Sequence, residues 1–289
     1  LGDAAKSMSQ AEIRQKCREF ALKYVDIHRN DFKRLGITGE WDRPYLTLSP
    51  EYVATIIRVF AEIYQTGGIY RGLKPIYWCP SCETALAEAE VEYADKTSPS
   101  IFVKFPAESP VQGVNGPVDY VIWTTTPWTL PANLAICVHP DYEYRAVKVG
   151  GETLIMASLL ASAALESCGI TEYKTIKKFM GNELEQLTYR HVIFKDKVCP
   201  IILGDHVTLD AGTGCVHTAP GHGQEDYVVG RKYNIAPFSP VDNRGVFTSE
   251  AGPYAGMNVF TANDRIVADL KRTGALLHSE PYQHSYPHC

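Results

Sequence analysis

The sequence predicts an α/β fold in which a short helical part is followed by a larger, β-rich domain. Two observations lead to this fold class. Apolar residues recur at helical intervals within roughly the first seventy positions, whereas beyond Gly72 they come in short runs broken by glycine and proline. At 289 residues, with 45% hydrophobic and 21% charged side chains, the chain is long enough to bury one large core or two smaller ones.

Two capped helices are predicted in the first part. Ser9 stands three residues before Glu12, which is the spacing of a capping box, and apolar residues at helical intervals continue to about Arg34. The second helix begins at Ser49–Glu51, where a capping serine precedes a proline and an acid. We expect it to end at Gly67.

Short runs rich in valine, isoleucine and aromatic residues predict strands in the second part. These runs are Lys74–Trp78, Ile101–Phe105, Asp119–Trp123, Ala135–Val138, Tyr144–Val149, Thr153–Met156, Val198–Leu203 and Cys215–Thr218. Three helices are predicted between or after them, at Ser158–Ser167, Asp226–Tyr233 and Thr261–Arg272. The stretch 107–117 is typical of a surface loop.

Charge and cysteine content limit the class of protein. A net charge of −5 argues against general electrostatic binding of nucleic acid, although it permits contact with the end of one strand. No run approaches the roughly eighteen apolar residues of a membrane span, and the first residues lack a signal peptide. The eight cysteines are dispersed, and only Cys79 and Cys82 are close. We therefore expect a cytoplasmic protein with reduced thiols, and both chain ends suggest a fragment.

Threonine hydroxyls are concentrated at the end of one predicted strand. Residues 122–133 read Ile-Trp-Thr-Thr-Thr-Pro-Trp-Thr-Leu-Pro-Ala-Asn, so that Thr124, Thr125 and Thr126 present hydroxyls on both faces before two prolines interrupt the ladder. Hydroxyls and unpaired backbone groups suit a site that forms hydrogen bonds with a ribose and an ester carbonyl. The simpler alternative is a threonine-rich strand edge followed by a turn.

A glycine-rich segment forms the second motif. Residues 212–227 read Gly-Thr-Gly-Cys-Val-His-Thr-Ala-Pro-Gly-His-Gly-Gln-Glu-Asp-Tyr and lead to Asp226 at the start of a predicted helix. Glycines allow a ligand to approach the backbone closely. An acid in the first helical turn can also be explained by the helix dipole alone, so this segment by itself does not decide between the two interpretations.

Together the two motifs resemble the editing insertion of the isoleucyl-tRNA synthetases, which are class I aminoacyl-tRNA synthetases. The resemblance covers essentially the whole chain, and further matching segments are Trp41–Tyr45, Trp78–Cys82, Ala85–Tyr93 and His284–Cys289. It implies a division into a helical segment of a Rossmann-type catalytic domain at 1–75, a zinc knuckle with connecting strands at 76–95 and 280–289, and a β-barrel-like editing domain with flanking helices at 96–279.

The resemblance implies post-transfer editing, in which valine wrongly esterified to isoleucine tRNA is hydrolysed. One methylene gives an apolar pocket only about 1–3 kcal/mol of discrimination, and isoleucine against valine in this family is the known example, so a second, smaller pocket is needed. The His-Ile-Gly-His and Lys-Met-Ser-Lys-Ser signatures of aminoacylation are absent from these residues. We therefore expect no ligase activity here, with ATP and isoleucine binding only in the full-length enzyme. The expected partner of a monomeric chain is the valine-charged acceptor end of tRNA(Ile), away from any membrane.

The same resemblance assigns roles to individual residues. Asp226 is expected to bind the α-ammonium of the misattached amino acid, since a carboxylate about 3–4 Å from a cation in a partly dry pocket anchors it strongly. Thr124–Thr126 would surround the ester and ribose, and Asn133 would hold the loop or contact substrate. His217 would position water or the ribose hydroxyls, although a lone histidine in such a strand is more often structural. The remaining expected substrate-binding residues are Trp123, Gly214 and His222.

The pair Cys79 and Cys82 has the spacing of a structural zinc knuckle. Cys289 is the expected third ligand, and His288 could serve as a fourth. Without it the zinc site would be incomplete in this chain. No cofactor and no covalent enzyme intermediate are expected for ester hydrolysis itself, because the aminoacyl ester is already activated.

Two other functions are compatible with the sequence. The first is a metal-dependent hydrolase with His217, His222, Glu225 and Asp226 as ligands, although residues 219–221 (Ala-Pro-Gly) make a helix carrying both histidines implausible. The second is a non-catalytic module that binds the tRNA end without releasing valine.

Overall fold

The computed structural model describes residues 2–289, which divide into two compact units on either side of Gly72. The first unit holds two helices, α1 (Gln10–Arg34) and α2 (Pro50–Gln65), after a 3-10 turn at Gly2–Ser7. Both predicted helices are confirmed.

The caps of both helices form as the sequence predicts. The Ser9 hydroxyl accepts a hydrogen bond from the Glu12 amide, and the Glu12 carboxylate accepts one from the Ser9 amide at 2.7 Å, which completes the capping box. Ser49 caps α2 by accepting from the Tyr52 amide at 3.3 Å. The helix boundaries are therefore set by local hydrogen bonding near the chain positions that the sequence indicates.

The second unit, Leu73–Cys289, is built on three sheets. Its strands within the described residues are β1 (Trp78–Cys79), β2 (Thr84–Ala85), β3 (Glu92–Pro106), β4 (Val118–Thr124), β5 (Ala135–Val138), β6 (Glu143–Val149), β7 (Glu152–Ala157), β8 (Lys174–Met180), β9 (Thr188–Arg190), β10 (Val198–Leu203), β11 (Val216–Thr218) and β12 (Leu276–His288). Its α-helices are α3 (Ala161–Ser167), α4 (Gln224–Lys232) and α5 (Val259–Thr273). The three predicted helices of this part are confirmed with shifted ends.

The largest sheet has the strand order β12-β3-β4-β7-β6-β8, and only β4 and β7 run parallel. Strands β3 and β12 form a long antiparallel ribbon in which Val103 pairs with Leu276 at one end and Glu92 with His288 at the other. This ribbon extends beyond the rest of the sheet and carries Cys289 at its tip. Strand β1 pairs with β2 in a separate small hairpin.

The four-stranded sheet has the order β11-β5-β10-β9. Strand β5 lies between β11, to which it is antiparallel, and β10, to which it is parallel. One core cluster joins side chains of this sheet to those of the larger sheet, and Tyr120, Tyr144 and Tyr189 are among its fully buried members. Helix α3 packs on the outer face of the larger sheet, and α4 packs on the smaller one.

The β-rich architecture is confirmed, and its two larger sheets are open and do not close into a barrel. Edge strands β8 and β12 of the larger sheet are not paired with each other, and between the two sheets the described residues form an isolated bridge, Ala107 to Tyr189, instead of a continuous ladder. Short strands separated by turns suit a barrel and a pair of packed sheets equally well, so the sequence pattern could not distinguish them.

One predicted strand is wrong and several strands were not predicted. Of the run Lys74–Trp78 only Trp78 belongs to a ladder; Pro75 has no amide hydrogen to donate. The first half of β3 and most of β12 are polar and exposed, so they lacked the apolar signal of a strand. The stretch 107–117 is the predicted loop, apart from the bridging residue Ala107.

No helix within residues 2–289 is both long enough and apolar enough to cross a membrane.

Candidate functional site

A cavity of about 950 Å³ in the second unit brings the two sequence motifs together. The residues that the motifs contribute to its wall are Thr124, Thr126, Trp128, Thr129, His217, Ala219, Gly221, His222, Gly223 and Asp226. Strand pairing explains the convergence: β5, which follows the first motif, pairs with β11, which carries the second, so that Ile136 lies opposite His217. The threonine-rich strand end and the helix-start carboxylate therefore face one space.

The threonine-rich segment turns sharply at the end of β4. The Thr126 amide donates to the Thr124 hydroxyl at 3.1 Å, and a 3-10 helix, Pro127–Ala132, begins immediately afterwards. Pro127 cannot donate to a ladder, which helps to end the strand there. Thr124 and Thr126 line the large cavity, whereas Thr125 lines a neighbouring cavity of about 200 Å³ that Thr126 shares.

His217 is held by hydrogen bonds at both ring nitrogens. Its Nδ1 lies 2.8 Å from the Asn133 side-chain nitrogen, and its Nε2 lies 3.0 Å from the Thr129 hydroxyl. The Asn133 amide also donates to the Ala135 carbonyl at 3.0 Å and accepts from the Tyr189 hydroxyl. All these side chains are buried.

This network fixes the tautomer of His217. The Asn133 side-chain nitrogen can only donate, so Nδ1 of His217 accepts and the ring proton sits on Nε2, directed at Thr129. The Thr129 hydroxyl in turn donates to the Thr126 carbonyl at 2.8 Å. Burial lowers the pKa of His217 to about 3. The imidazole is therefore neutral at physiological pH, and neither nitrogen is free to act as a base, which makes His217 a positioning residue of the wall.

Asp226 lies in the first turn of α4 and is partly buried. One carboxylate oxygen, Oδ2, accepts a hydrogen bond from the Ala219 amide at 2.8 Å. The other oxygen, Oδ1, has no hydrogen-bond partner among residues 2–289. Burial raises the pKa of Asp226, and the Ala219 hydrogen bond opposes that shift. One anionic oxygen is thus anchored to the loop while the other remains available to a cation.

The loop between β11 and α4 depends on close backbone contacts. A methyl group at Gly221 would lie 2.1 Å from the Phe238 carbonyl oxygen, and one at Gly223 would lie 2.7 Å from the Asp226 carboxylate. The ring of His222 packs edge-on against Trp128 with centroids 4.9 Å apart, and burial lowers the His222 pKa to about 4. Its Nε2 is buried without a hydrogen-bond partner.

Three expected substrate-binding residues do not line the large cavity: Asn133 is buried against His217, and Trp123 and Gly214 lie elsewhere. Trp123 alternates with Thr124 along β4 and faces the opposite side of the sheet, where its indole nitrogen donates to the Ser100 hydroxyl at 2.6 Å. Gly214 packs against Ala157, whose Cβ would be 2.4 Å from a methyl group at that position. Both residues shape the fold and do not line the large cavity.

The residue-by-residue predictions from the sequence missed two residues of the cavity wall and one buried residue behind it. Trp128 and Thr129 lie inside the first motif, three residues after Thr125 and Thr126, so helical spacing in the turn could have indicated them. No sequence signal marks Tyr189, whose hydroxyl completes the Asn133 network from a strand of the smaller sheet.

The ligand set of the alternative metal-dependent hydrolase does not converge. Within residues 2–289, the cysteines Cys79, Cys82 and Cys289 are the only group of three or more histidine, cysteine or acidic ligand atoms within 4.8 Å of one another. The nitrogens of His217 are already occupied by other side chains, and Glu225 is exposed outside the cavity. The geometry at the second motif therefore does not favour metal chemistry.

The three cysteines do meet in space. Cys79 and Cys82 flank the turn after β1, and the sulfur of Cys289, beyond β12, lies 3.2 Å from that of Cys79. The Cys82 amide donates to the Cys79 sulfur at 3.4 Å, and this contact, with the Cys289 thiol, lowers the pKa of Cys79 to about 7. Thiolates are favoured zinc ligands, so the donor set fits zinc with three positions filled. His288 does not join the group.

We expect these thiols to bind one zinc ion only weakly, because they supply three of the four ligands of a closed structural site. Cys82→Ser should weaken zinc binding by at least about tenfold, since a structural site depends on each of its thiolate ligands. Cys17→Ser is the matched control, because Cys17 is an exposed free thiol on α1. Competition against a chromophoric chelator measures both affinities. Equal zinc affinity in the two variants would contradict the assignment.

Comparison with known proteins identifies similar chains. The family model for class I tRNA synthetases (I, L, M and V) matches residues 2–265. The isoleucine–tRNA ligase of Petrotoga mobilis is 55% identical over 289 residues, which is 100% of this chain and 31% of that ligase. The isoleucine–tRNA ligase of Thermotoga maritima is 53% identical over 291 residues, again 100% of this chain and 31% of the relative. The chain thus spans about a third of the length of these relatives.

Solved structures resemble part of this chain in fold. The crystal structure of GlLeuRS-CP1 aligns with a TM-score of 0.52 and 16% identity, covering 63% of this chain and 98% of that one. The cytosolic leucyl-tRNA synthetase editing domain of P. falciparum aligns with a TM-score of 0.51 and 12% identity, covering 65% of this chain and 100% of that domain. At these identities the likeness concerns the fold alone.

Proposed function

Because this chain belongs to the class I tRNA synthetases, we propose that its second unit is an editing domain that hydrolyses the ester bond of valyl-tRNA(Ile). The observation that carries the proposal is the shared cavity, which Thr124, Thr126 and Asp226 all line. The similarity to isoleucine–tRNA ligases supports the choice of tRNA, and the fold shared with leucyl-tRNA synthetase editing domains supports the reaction.

The substrate would be oriented by its positive charge. The α-ammonium of the esterified amino acid pairs with Oδ1 of Asp226, while the Ala219 amide holds Oδ2 in place. In a partly buried site such a pair is stronger than in water, and it places the ester at a fixed distance from the carboxylate.

The ester would lie toward the threonine-rich turn. Hydroxyls of Thr124 and Thr126 donate to the ester carbonyl and the terminal ribose, which stabilises negative charge as it develops on the carbonyl oxygen. Water adds to the carbonyl carbon, the bond to the ribose oxygen breaks, that oxygen takes a proton, and valine leaves as the free acid. Because His217 is neutral and fully hydrogen-bonded, positioning and electrostatics carry the reaction without His217 acting as a base.

Selection for valine would follow from a rigid wall. Hydrogen bonds from His217 to Thr129 and Asn133 hold both nitrogens of the ring. The ring therefore cannot move aside to make room for a larger side chain. We propose that this wall admits the valyl group and excludes the isoleucyl group, which has one more methylene.

Deacylation of radiolabelled valyl-tRNA(Ile) tests the proposed function. The chain is expected to release valine faster than the uncatalysed ester loses it and to spare isoleucyl-tRNA(Ile). Binding without release would identify a non-catalytic module. Release that is lost on treatment with a chelator and restored by a metal ion would identify the metal-dependent hydrolase.

A further inference from the structure

Lys96 occupies an unusual position on the β3–β12 ribbon. Its ammonium nitrogen lies 4.3 Å from the centroid of the Phe260 ring and 4.2 Å from that of the Tyr286 ring. These rings come from α5 and β12, so two different elements hold the ammonium. Cation–π contacts at such distances orient a lysine without neutralising its charge.

The charge of Lys96 has no counter-ion. Among residues 2–289, no carboxylate lies within ion-pair distance of its nitrogen, and no hydrogen bond is made by it. Burial lowers the pKa of Lys96, and no neighbouring charge contributes to that shift. A partly buried cation that has no counter-ion among the described residues can take an anion from outside the chain.

The position of Lys96 relative to the cavities indicates which anion this is. Among residues 2–289 it is the one lysine that lines both the large cavity and the smaller cavity of about 200 Å³ beside it. The two cavities also share Thr126, Trp128, Phe260 and Tyr286. A strand whose end enters the large cavity would pass this junction.

We propose that Lys96 binds a backbone phosphate of the terminal nucleotides of the tRNA strand whose aminoacylated end occupies the large cavity. This inference rests on the editing function proposed above. The chain carries a net charge of −5, and Asp226, Asp242 and Asp264 line the two cavities. Phosphates would be repelled by these acids, so the cation that two aromatic rings hold at the junction offsets this repulsion where the strand passes.

Binding of an RNA hairpin tests the phosphate contact. The probe ends in CCA and carries valine on its last ribose through a non-hydrolysable amide. Lys96→Met keeps the length and apolar contact of the side chain but removes its charge, and it should weaken binding about tenfold, as expected for loss of a charge-assisted contact. The slope of log affinity against log salt should fall by about 0.7, the value for one phosphate of a single strand.

Two further variants separate charge from packing. Lys96→Arg should bind within about threefold of the unmodified chain, because the cation remains. Lys174→Met removes an exposed lysine outside both cavities and should leave binding unchanged. Equal binding by Lys96→Met and the unmodified chain would overturn the inference, and so would equal losses in the Met and Arg variants.

A substrate without phosphate distinguishes this inference from the proposed function. Valyl-adenosine ester has the amino acid and ribose but no phosphodiester, so Lys96→Met should hydrolyse it at the unmodified rate while losing activity on valyl-tRNA. Equal losses on both substrates would assign Lys96 a purely structural role. If the unmodified chain hydrolyses neither substrate but its RNA binding still depends on Lys96, the phosphate site stands and the editing function fails.

Discussion

Replacing Asp226 by alanine is expected to reduce kcat/KM for valyl-tRNA(Ile) hydrolysis by roughly thirtyfold to several thousandfold. This corresponds to about 2–5 kcal/mol, the usual cost of removing one partner from a partly buried charge pair. Oδ1 of Asp226 is the unpaired anionic oxygen on the cavity wall, so the substrate ammonium would lose its anchor. Single-turnover deacylation of radiolabelled valyl-tRNA measures the effect.

Two controls separate charge from structure at this position. Asp226→Asn keeps an oxygen that can accept from the Ala219 amide, so it should lose activity as the alanine variant does while retaining the loop. Glu225→Ala removes the neighbouring acid, which is exposed and lies outside the large cavity, and it should retain activity. Full deacylation by Asp226→Asn would rule out the ionic role.

The pH dependence of the same variants follows from the raised pKa of Asp226. Protonation of the carboxyl removes the charge that binds the ammonium, so deacylation should fall as pH decreases through that pKa. Since the folded-state pKa is raised, ionisation of Asp226 costs stability as pH rises through it. Asp226→Asn should therefore be at least as stable as the unmodified chain at neutral pH. Chemical denaturation at two pH values measures this difference.

Asn133→Ala is expected to lower the free energy of unfolding by about 2–4 kcal/mol. The substitution leaves Tyr189, His217 and the Ala135 carbonyl without their buried hydrogen-bond partner, and each unsatisfied group costs about 1–3 kcal/mol, partly offset by relaxation. Urea unfolding gives the change. Asn182→Ala, at an exposed position, should stay within about 0.5 kcal/mol.

The imidazole of His217 reports on the same network. In the unmodified chain, nitrogen chemical shifts should show the Nε2-protonated tautomer without titration between pH 8 and pH 5, because burial holds the His217 pKa near 3. Asn133→Ala removes the donor to Nδ1 and should disturb this single state. Titration of His217 near its ordinary pKa in the unmodified chain would contradict the network.

Most of what the sequence indicated correctly depends on short stretches of chain. The Ser9 and Ser49 caps, the turn after Thr124 and the cysteine pair at Cys79 and Cys82 are all set by hydrogen bonds or spacing over a few residues. Such features depend only on residues that are close in the chain, and they can therefore be predicted from a single sequence. The two motifs also contribute one part of the cavity wall, and segments outside them form the rest.

The tertiary structure alone decided how these parts face one another. Alternation along β4 places Thr124 in the cavity and Trp123 behind the sheet, and a one-residue change of register would have exchanged them. The pairing of β5 with β11 brings His217 next to Asn133 and Thr129, which occupy both of its ring nitrogens. The pairing of β3 with β12 brings Lys96 next to Tyr286. Such contacts join residues far apart in the chain. They depend on which sheet edges meet and on whether the sheets stay open, neither of which is encoded in local periodicity.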